Sequence, residues 1–452
     1  MERNLTTGSV GKNILLFSLP YLLSYFLQTL YGMADLFIIG QFDEVASTTA
    51  VSIGSQVMHM LTVMLVGLAM GTTVSIARAV GGRDHKQVSE SVGNTVTLFF
   101  GLSIVLTAVL LLLVRPIVGV MSTPAEAVDG TVAYLTICFL GIPFITAYNI
   151  ISSIFRGMGD SKSPMYFIAI ACAANIALDY LFIGALDFGP AGAALGTTLA
   201  QTISVAVSLF MILRRKSISL SKGDFHPRRP VVGQILQIGV PVALQDGLIQ
   251  IAFIVITIIA NRRGLNDAAA VGIVEKIIEF VFLVPSSMLS TVSALGAQNI
   301  GAGKPERAVQ TLRYAICITV GFGLCVCIGV QLCAEQLVAL FTDRQAAGGA
   351  EVIRFGGQYL RSYILDCVFA GIHFSFSGYF CACGKSVLSF LHNISSVLLV
   401  RVPGSYLASM LFPDTLFPMG LASAGGSLLS VMLCILFYLK FCREKNPTAE
   451  SA

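Results

Sequence analysis

Long apolar segments are the feature of this sequence that most restricts how the chain can fold. We count twelve of them, each long enough at about 1.5 Å per residue to cross a hydrocarbon core of about 30 Å. Their approximate limits are residues 14–40, 48–79, 92–114, 131–155, 164–186, 190–214, 233–260, 268–299, 309–333, 355–383, 386–410 and 417–440. Charged residues make up 12% of the 452-residue chain, against about 25% in an average soluble domain. The sequence therefore predicts an all-α integral membrane protein with twelve transmembrane helices.

The distribution of basic residues between these segments predicts the orientation of the chain. One set of connections is rich in lysine and arginine, as cytoplasmic loops of membrane proteins are, and the opposite set is poorer in them. Both termini and the basic connection 215–232 fall on the richer side. We therefore expect a multi-pass protein of the cytoplasmic (inner) membrane with both termini in the cytoplasm.

Similar short stretches recur at separations of 220 to 225 residues. The pairs are 17–20 with 238–241, 80–88 with 300–308, and 155–159 with 380–384. They predict an N-terminal six-helix bundle over 1–214, a cytoplasmic linker over 215–232 and a C-terminal six-helix bundle over 233–452. Parallel repeats of this kind in transporters are related by an axis along the membrane normal, with the substrate site at the repeat interface.

The sequence carries no motif that indicates an enzyme. Gly378–Ser386 resembles a phosphate-binding loop, but five residues separate its glycines where the motif requires four. The cysteine pairs Cys325/Cys327 and Cys381/Cys383 lack the spacing of a zinc site. The net charge of +4 gives no support to nucleic-acid binding. We therefore expect no catalytic residue, no cofactor and no nucleic-acid partner. We expect a monomer whose partners are small molecules and membrane lipid.

Several motifs follow one another in a set order along the chain. They are Pro20 with Asp35 and Gly40, the two glycine-rich loops, FRGMGDSKSP at 155–164, NIALD at 175–179 and GPAGAALGTT at 189–198. Their order and spacing over nearly the whole chain make it resemble the prokaryotic branch of the multidrug and toxic compound extrusion (MATE) family. The resemblance implies two six-helix bundles that form a V-shaped cavity. It also implies antiport of mostly cationic, amphipathic compounds against protons or sodium ions.

Four polar residues in the first six segments form the candidate ion- or proton-binding site. Asn175 and Asp179 are four residues apart and share a helix face. Counting the helical rise puts Asp35 and Thr197 in the same outer half of the first bundle. Their carboxylate, amide and hydroxyl oxygens are suited to a sodium ion, and the carboxylates to a shared proton. The resemblance assigns ion coupling to the same four positions; the alternative is a polar network that only joins the helices.

The second half of the chain has a different set of charged residues. Ile256 stands at the position that corresponds to Asp35. The acidic residues of the second half lie elsewhere in its segments, at Asp246, Glu275, Glu279 and Asp366. Arg401 is the cation best placed to pair with one of them, and Lys276 is adjacent to Glu275. We expect either a second site for an ion or a substrate cation, or a helix-joining ion pair with Arg401.

Aromatic and methionine side chains supply candidates for a substrate cavity through cation–π contacts and adaptable packing. The candidates are Tyr31, Met33, Met60, Met64 and Phe282. The alternative for each is packing inside the bundle or contact with lipid. His59 and His373 are candidates for proton relay, with a structural role as the alternative.

Together these features predict a secondary active multidrug exporter that works by alternating access. A proton or sodium ion that enters at Asp35 and Asp179 would favour one conformation of the first bundle. One alternative is a flippase for a lipid-linked precursor, which would favour a strongly basic cavity, whereas the segments contain mainly Lys276 and Arg401. A receptor or structural membrane protein without a transport cycle is a further alternative.

Overall fold

The computed structural model of the protein describes residues 4–215, 220–342, 344–345 and 348–445. In these ranges the regular structure is helical throughout. The α-helices are α1 (Val10–Phe42), α2 (Val45–Gly81), α3 (His85–Val120), α4 (Val128–Leu140), α5 (Ile142–Gly157), α6 (Lys162–Asp179), α7 (Gly189–Arg215), α8 (Arg229–Arg263), α9 (Leu265–Gly301), α10 (Pro305–Ala339), α11 (Gly349–Tyr363), α12 (Asp366–Ala382), α13 (Ser386–Ser396), α14 (Val402–Leu411) and α15 (Phe417–Lys445).

Each predicted apolar segment coincides with one helix or with consecutive helices. Among the described residues, nine helical spans are long and apolar enough to cross a membrane, and two bent helix pairs raise that number to eleven. The eighth predicted segment corresponds to α9, which has 37 residues. The prediction of an all-α membrane protein with twelve transmembrane helices is therefore confirmed, with two of the spans broken.

The two breaks have different local causes. The axes of α4 and α5 differ by 50°, and the break falls at Gly141, just before Pro143 in the first turn of α5. Proline has no amide hydrogen to continue the α4 ladder. The axes of α11 and α12 differ by 40° without a proline. There the amides of Cys367 and Val368 donate to carbonyls only three residues back. The second break places Asp366 at the first residue of α12.

The helices form two compact units. The N-terminal unit contains Leu15–Ala243 and Ala297–Lys304, with the segment that ends at Gly8, and the C-terminal unit contains Ser9–Ile14, Leu244–Gly296 and the chain from Pro305 onward. The start of α8 belongs to the N-terminal unit because it crosses α2 at close range. A Cβ atom on Gly239 would lie 2.2 Å from the carbonyl oxygen of Leu68, so only glycine fits at this crossing.

The stretches that recur in the sequence form recurrent helix ends. At each of four ends, a residue with positive φ is followed by an amide that donates to the carbonyl five residues back, which is the Schellman arrangement. The positive-φ residues are Arg83, Gly159, Gly303 and Gly384. The four hydrogen bonds run from Asp84 to Ala79, from Asp160 to Phe155, from Lys304 to Asn299 and from Lys385 to Phe380, at 2.8 to 3.0 Å.

The connection before α8 is attached to α3 by hydrogen bonds. The Asn94 amide donates to the Asp224 carbonyl oxygen at 3.1 Å and accepts from the Arg228 backbone at 2.6 Å. Arg228 also pairs with Glu90 at 2.6 Å. Hydrogen bonds from the backbone and hydroxyl of Ser221 hold the pKa of the Asp224 carboxyl below its usual range. Residues 216–219 of the predicted linker lie outside the described residues.

Candidate ion-binding site

Four polar side chains of the N-terminal unit lie close together between three of its helices. Asp35 lies on α1, Asn175 and Asp179 on the last turns of α6, and Thr197 on α7. The exposed fractions of Asp35, Asn175 and Asp179 are 2%, 1% and 0%. The Thr197 hydroxyl donates to Asp35 Oδ2 at 3.0 Å. The side chains of Asn175 and Asp179 face the same Asp35 carboxyl group. We name these four residues the carboxylate cluster.

Most polar atoms of the carboxylate cluster have no hydrogen-bond partner. Asp35 Oδ1, both carboxyl oxygens of Asp179 and both terminal atoms of Asn175 are buried without one. Buried polar atoms in folded proteins are normally paired, and two ionised carboxylates have only acceptors to offer each other. No ion pair formed by the described residues includes Asp35 or Asp179. The arrangement is suited to accept a proton or a small cation, since an isolated buried charge costs several kcal/mol.

Two glycines bring α7 close enough to α6 to form the carboxylate cluster. Gly192 and Gly196 are four residues apart and lie on one face of α7. A Cβ atom on Gly192 would lie 3.1 Å from the Phe182 carbonyl oxygen, and one on Gly196 would lie 2.1 Å from Asp179 Oδ1. Small residues at this spacing let membrane helices approach closely. The Asp179 carboxyl group thus rests against the bare backbone of α7.

A wide helical turn directly follows Asp179. Residues Tyr180–Ala185 are π-helical, and the Leu186 amide donates to the Leu181 carbonyl five residues back. Such turns insert one extra residue into a helix and occur frequently at functional sites. Because of this insertion, the part of the helix after Asp179 is rotated relative to the part that carries Asn175.

Two further polar residues border the carboxylate cluster. Tyr31 precedes Asp35 by one turn of α1, and its hydroxyl group faces the side chain of Gln201, which follows Thr197 by one turn of α7. Gln201 is 4% exposed, and its Oε1 atom has no partner. The sequence-based prediction did not include Gln201 or Gly196. Gln201 follows Thr197 by four residues, and Gly196 follows Gly192 by four residues. This spacing of one helical turn is the sequence signal for both residues.

We expect Gly196→Ala to impair ion-coupled transport although it removes no ionisable group. The added methyl group would overlap Asp179 Oδ1, so the carboxyl group must leave its position. Overpacking of this kind typically costs about 1–3 kcal/mol. Transport by purified protein in liposomes, compared at equal reconstitution, measures the effect. Gly101→Ala is the matched control because nothing lies within 4 Å of the added atom; equal transport by the two variants would contradict the role given to Gly196.

In the C-terminal unit, Arg401 pairs with Asp366. Arg401 Nη2 lies 2.6 Å from Asp366 Oδ2 and 3.2 Å from the Tyr363 hydroxyl. Both charged residues are buried, with exposed fractions of 9% and 0%. The guanidinium also lies 5.5 Å from the centroid of the Phe253 ring. This unit therefore holds a buried carboxylate together with its own fixed cation.

The remaining second-half candidates do not join this pair directly. Lys276 pairs with Glu279 at 3.1 Å, in a partly exposed position, rather than with the adjacent Glu275. Glu275 accepts a hydrogen bond from the Thr257 hydroxyl at 3.2 Å, and its Oε1 atom is buried without a partner. Asp246 is half-buried and has no ion-pair partner within the described residues. Among the described second-half candidates, the structure thus pairs Asp366 with Arg401 inside the unit and Glu279 with Lys276 in a more exposed position.

Comparison of the two halves shows opposite charges at related positions. Arg401 follows Asp179 by 222 positions, which falls within the repeat separation of the sequence. Each residue adjoins or ends a π-helical turn, Tyr180–Ala185 after Asp179 and Val397–Arg401 ending at Arg401. The second half therefore has a guanidinium where the first half has a carboxylate.

The candidate cavity residues differ in exposure. Met33 is 46% exposed, while Tyr31, Met60, Met64 and Phe282 are half-buried. His59 is exposed, and His373 is buried with its ring centroid 5.6 Å from that of His392. Among the described residues, no group of three or more His, Cys, Asp or Glu side chains is arranged to hold a metal ion.

Comparison with known proteins gives one consistent result. The profile described as MatE matches residues 20–181 and 241–407. The "Probable multidrug resistance protein YpnP" of Bacillus subtilis (strain 168) is 29% identical over 89% of both chains. The "Probable multidrug resistance protein YoeA" of the same organism is 28% identical over 75% of this chain and 74% of its own. The fold is that of "Crystal structure of MATE in complex with MaL6", with a TM-score of 0.90, 24% identity and 98% coverage of both chains.

Proposed function

Because this chain belongs to the MatE family of multidrug efflux transporters, we propose that it is a secondary active exporter of amphipathic organic molecules. It exchanges them for protons or sodium ions across the cell membrane by alternating access. It is not an enzyme, and it works without a cofactor. The transported molecule and the coupling ion are its two substrates.

The carboxylate cluster is the observation that supports ion coupling. Its two buried carboxylates form no ion pair with a lysine or arginine of the described residues, so the energy of the unit would depend on whether a proton or sodium ion is bound. A ligand shifts a conformational equilibrium only by its difference in affinity for the two states. A cation that enters and leaves the carboxylate cluster satisfies this requirement, whereas a fixed arginine does not.

The proposed topology follows from the repeats and the basic loops. Residues 1–214 and 233–452 form two six-helix halves in the same orientation, joined by 215–232 on the cytoplasmic side. The recurrent helix ends support the relation between the halves, and the basic connections support the cytoplasmic location of both termini. We propose that the protein functions as a monomer.

Transport by the purified protein in liposomes tests the proposed function. We expect a fluorescent organic cation to move against its gradient when an opposing gradient of protons or of sodium ions is imposed, and not when both gradients are absent. Separate application of the two gradients identifies the coupling ion. Movement of the dye that is independent of both gradients would contradict ion-coupled exchange.

A further inference from the structure

Arg156 is a buried cation of the N-terminal unit that the ion-coupling site does not use. It lies in the last turn of α5 and is 9% exposed. Its Nη2 atom donates to the Ser153 hydroxyl at 3.2 Å, and its guanidinium carbon lies 4.8 Å from the centroid of the Tyr21 ring. Its Nε–H group is buried and has no acceptor among the described residues. In the described part of the chain, no carboxylate pairs with it.

Two other arginines of this protein show how a guanidinium is paired with a carboxylate here. Arg401 has the same exposed fraction as Arg156 and is paired with Asp366, although its Nε–H group also has no acceptor among the described residues. Arg263 Nε lies 2.6 Å from Asp267 Oδ2, and the same guanidinium donates to four backbone carbonyls. Arg156 has none of these acceptors. A buried charge without a counter-ion is unfavourable by several kcal/mol, so the absence of an anion at Arg156 calls for a reason.

Local structure offsets only part of this cost. A cation in the last turn of a helix gains about 0.3–1 kcal/mol from the helix dipole, and a cation over an aromatic ring gains about 0.5–2 kcal/mol. Neither the dipole nor the Tyr21 ring accepts the Nε–H hydrogen. The free donor therefore remains after both contributions are counted.

The groups around Arg156 are neutral and bear hydroxyls. The Tyr21 and Tyr25 hydroxyls lie 3.4 Å apart. Tyr148 interacts electrostatically with Arg156, and the Ser152 hydroxyl is buried without a hydrogen-bond partner among the described residues. One cation surrounded by neutral hydroxyl groups attracts a single negative charge and offers it further hydrogen bonds.

We propose that Arg156 binds the carboxylate of a transported molecule, with Tyr21 beneath the guanidinium. The planar guanidinium matches the two oxygens of a carboxylate, and the free Nε–H supplies one of the two hydrogen bonds. One cation balances one negative charge, which favours a carboxylate over a phosphate dianion. The inference rests on the proposed function and narrows it. If Arg156 binds a carboxylate, the substrates include zwitterions that carry a cationic ring system and a carboxylate.

A matched pair of dyes tests this site directly. One is a rhodamine with a free carboxylate, and the other is its methyl ester, which is cationic. Binding of each dye to the full-length protein in detergent is measured by fluorescence polarisation. We expect Arg156→Gln to weaken binding of the free acid at least about tenfold, equivalent to about 1.4 kcal/mol, and to change binding of the ester less than about twofold.

Two further variants complete the binding experiment. Arg156→Lys keeps the positive charge but loses the planar guanidinium that donates two parallel hydrogen bonds. We therefore expect an intermediate loss of affinity for the free acid. Arg354→Gln is the control, because Arg354 also lies over an aromatic ring, 4.6 Å from the Phe355 centroid, but is exposed. We expect it to leave the binding of both dyes unchanged.

Either of two results would overturn the proposed carboxylate site. They are failure of the wild-type protein to bind the free acid, and equal losses for the acid and the ester in Arg156→Gln. Transport of the ester under imposed ion gradients reports on the proposed function separately. Absence of gradient-driven transport with a preserved acid–ester difference would refute the exporter and leave the carboxylate site in place.

Discussion

Asp35→Asn is expected to abolish ion-coupled efflux while the protein still inserts into the membrane. Asparagine retains an oxygen that accepts from Thr197 Oγ1 but carries no charge to hold a cation. Removing one charge of a buried ion pair, here the Asp35 carboxylate that would pair with the bound cation, costs about 2–5 kcal/mol. This corresponds to a loss of ion affinity of about thirtyfold or more. Efflux of a fluorescent cation under imposed pH and sodium gradients, at matched expression, measures the loss.

The companion variants separate coupling from folding. Asp179→Asn is expected to behave like Asp35→Asn, while Thr197→Ala and Asn175→Ala should weaken coupling less, since each removes one neutral group. Removing a buried charge relieves its desolvation, so thermal unfolding of Asp35→Asn should not occur at a lower temperature than that of the wild type. A wild-type response of Asp35→Asn to either gradient would show that Asp35 has only a structural role.

The second large effect is expected at Arg401 and concerns stability. Arg401→Gln leaves the buried Asp366 carboxyl without its cation, and breaking a buried ion pair from one side typically costs about 3–5 kcal/mol. We expect a marked decrease in unfolding temperature and in the yield of folded protein. Size-exclusion chromatography after heating in detergent measures both. The double variant Asp366→Asn/Arg401→Gln should recover part of the loss, because no unpaired charge remains.

Glu279→Gln is the matched control for the stability experiment. It breaks the Lys276–Glu279 pair, whose side chains are 69% and 36% exposed, and exposed pairs contribute about 0–1 kcal/mol. Equal unfolding temperatures for Arg401→Gln and Glu279→Gln would mean that the Asp366–Arg401 pair does not stabilise the C-terminal unit.

Most of the fold could be predicted from the sequence because apolar length is a local property. The segment at 131–155 was nevertheless predicted as one span and is bent by 50° at Gly141. Pro143 indicated that break, since proline ends a helical ladder. The break before Asp366 has no proline or glycine at its centre. The sequence therefore carries no local signal for this break.

The site could be predicted only in part. The carboxylates Asp35 and Asp179 were conspicuous because charges are rare in apolar segments. Gly196 was not, because its importance depends on a distance to another helix, and a glycine in a membrane helix is common. Arg156 belongs to the FRGMGDSKSP stretch between two apolar segments, and the sequence does not reveal that it is buried beside Tyr21.

The fixed guanidinium at Arg401 removes Asp366 from the carboxylates that could exchange an ion. Under the proposed coupling, the two carboxylates of the carboxylate cluster would bind at most two monovalent ions. One ion exchanged for a monocation moves no net charge, so the membrane potential would contribute nothing to export. Two ions would move one net charge, which is worth about 2.3 kcal/mol per 100 mV. Under the proposed coupling, we therefore expect the voltage dependence of transport to count the ions exchanged for each monocation.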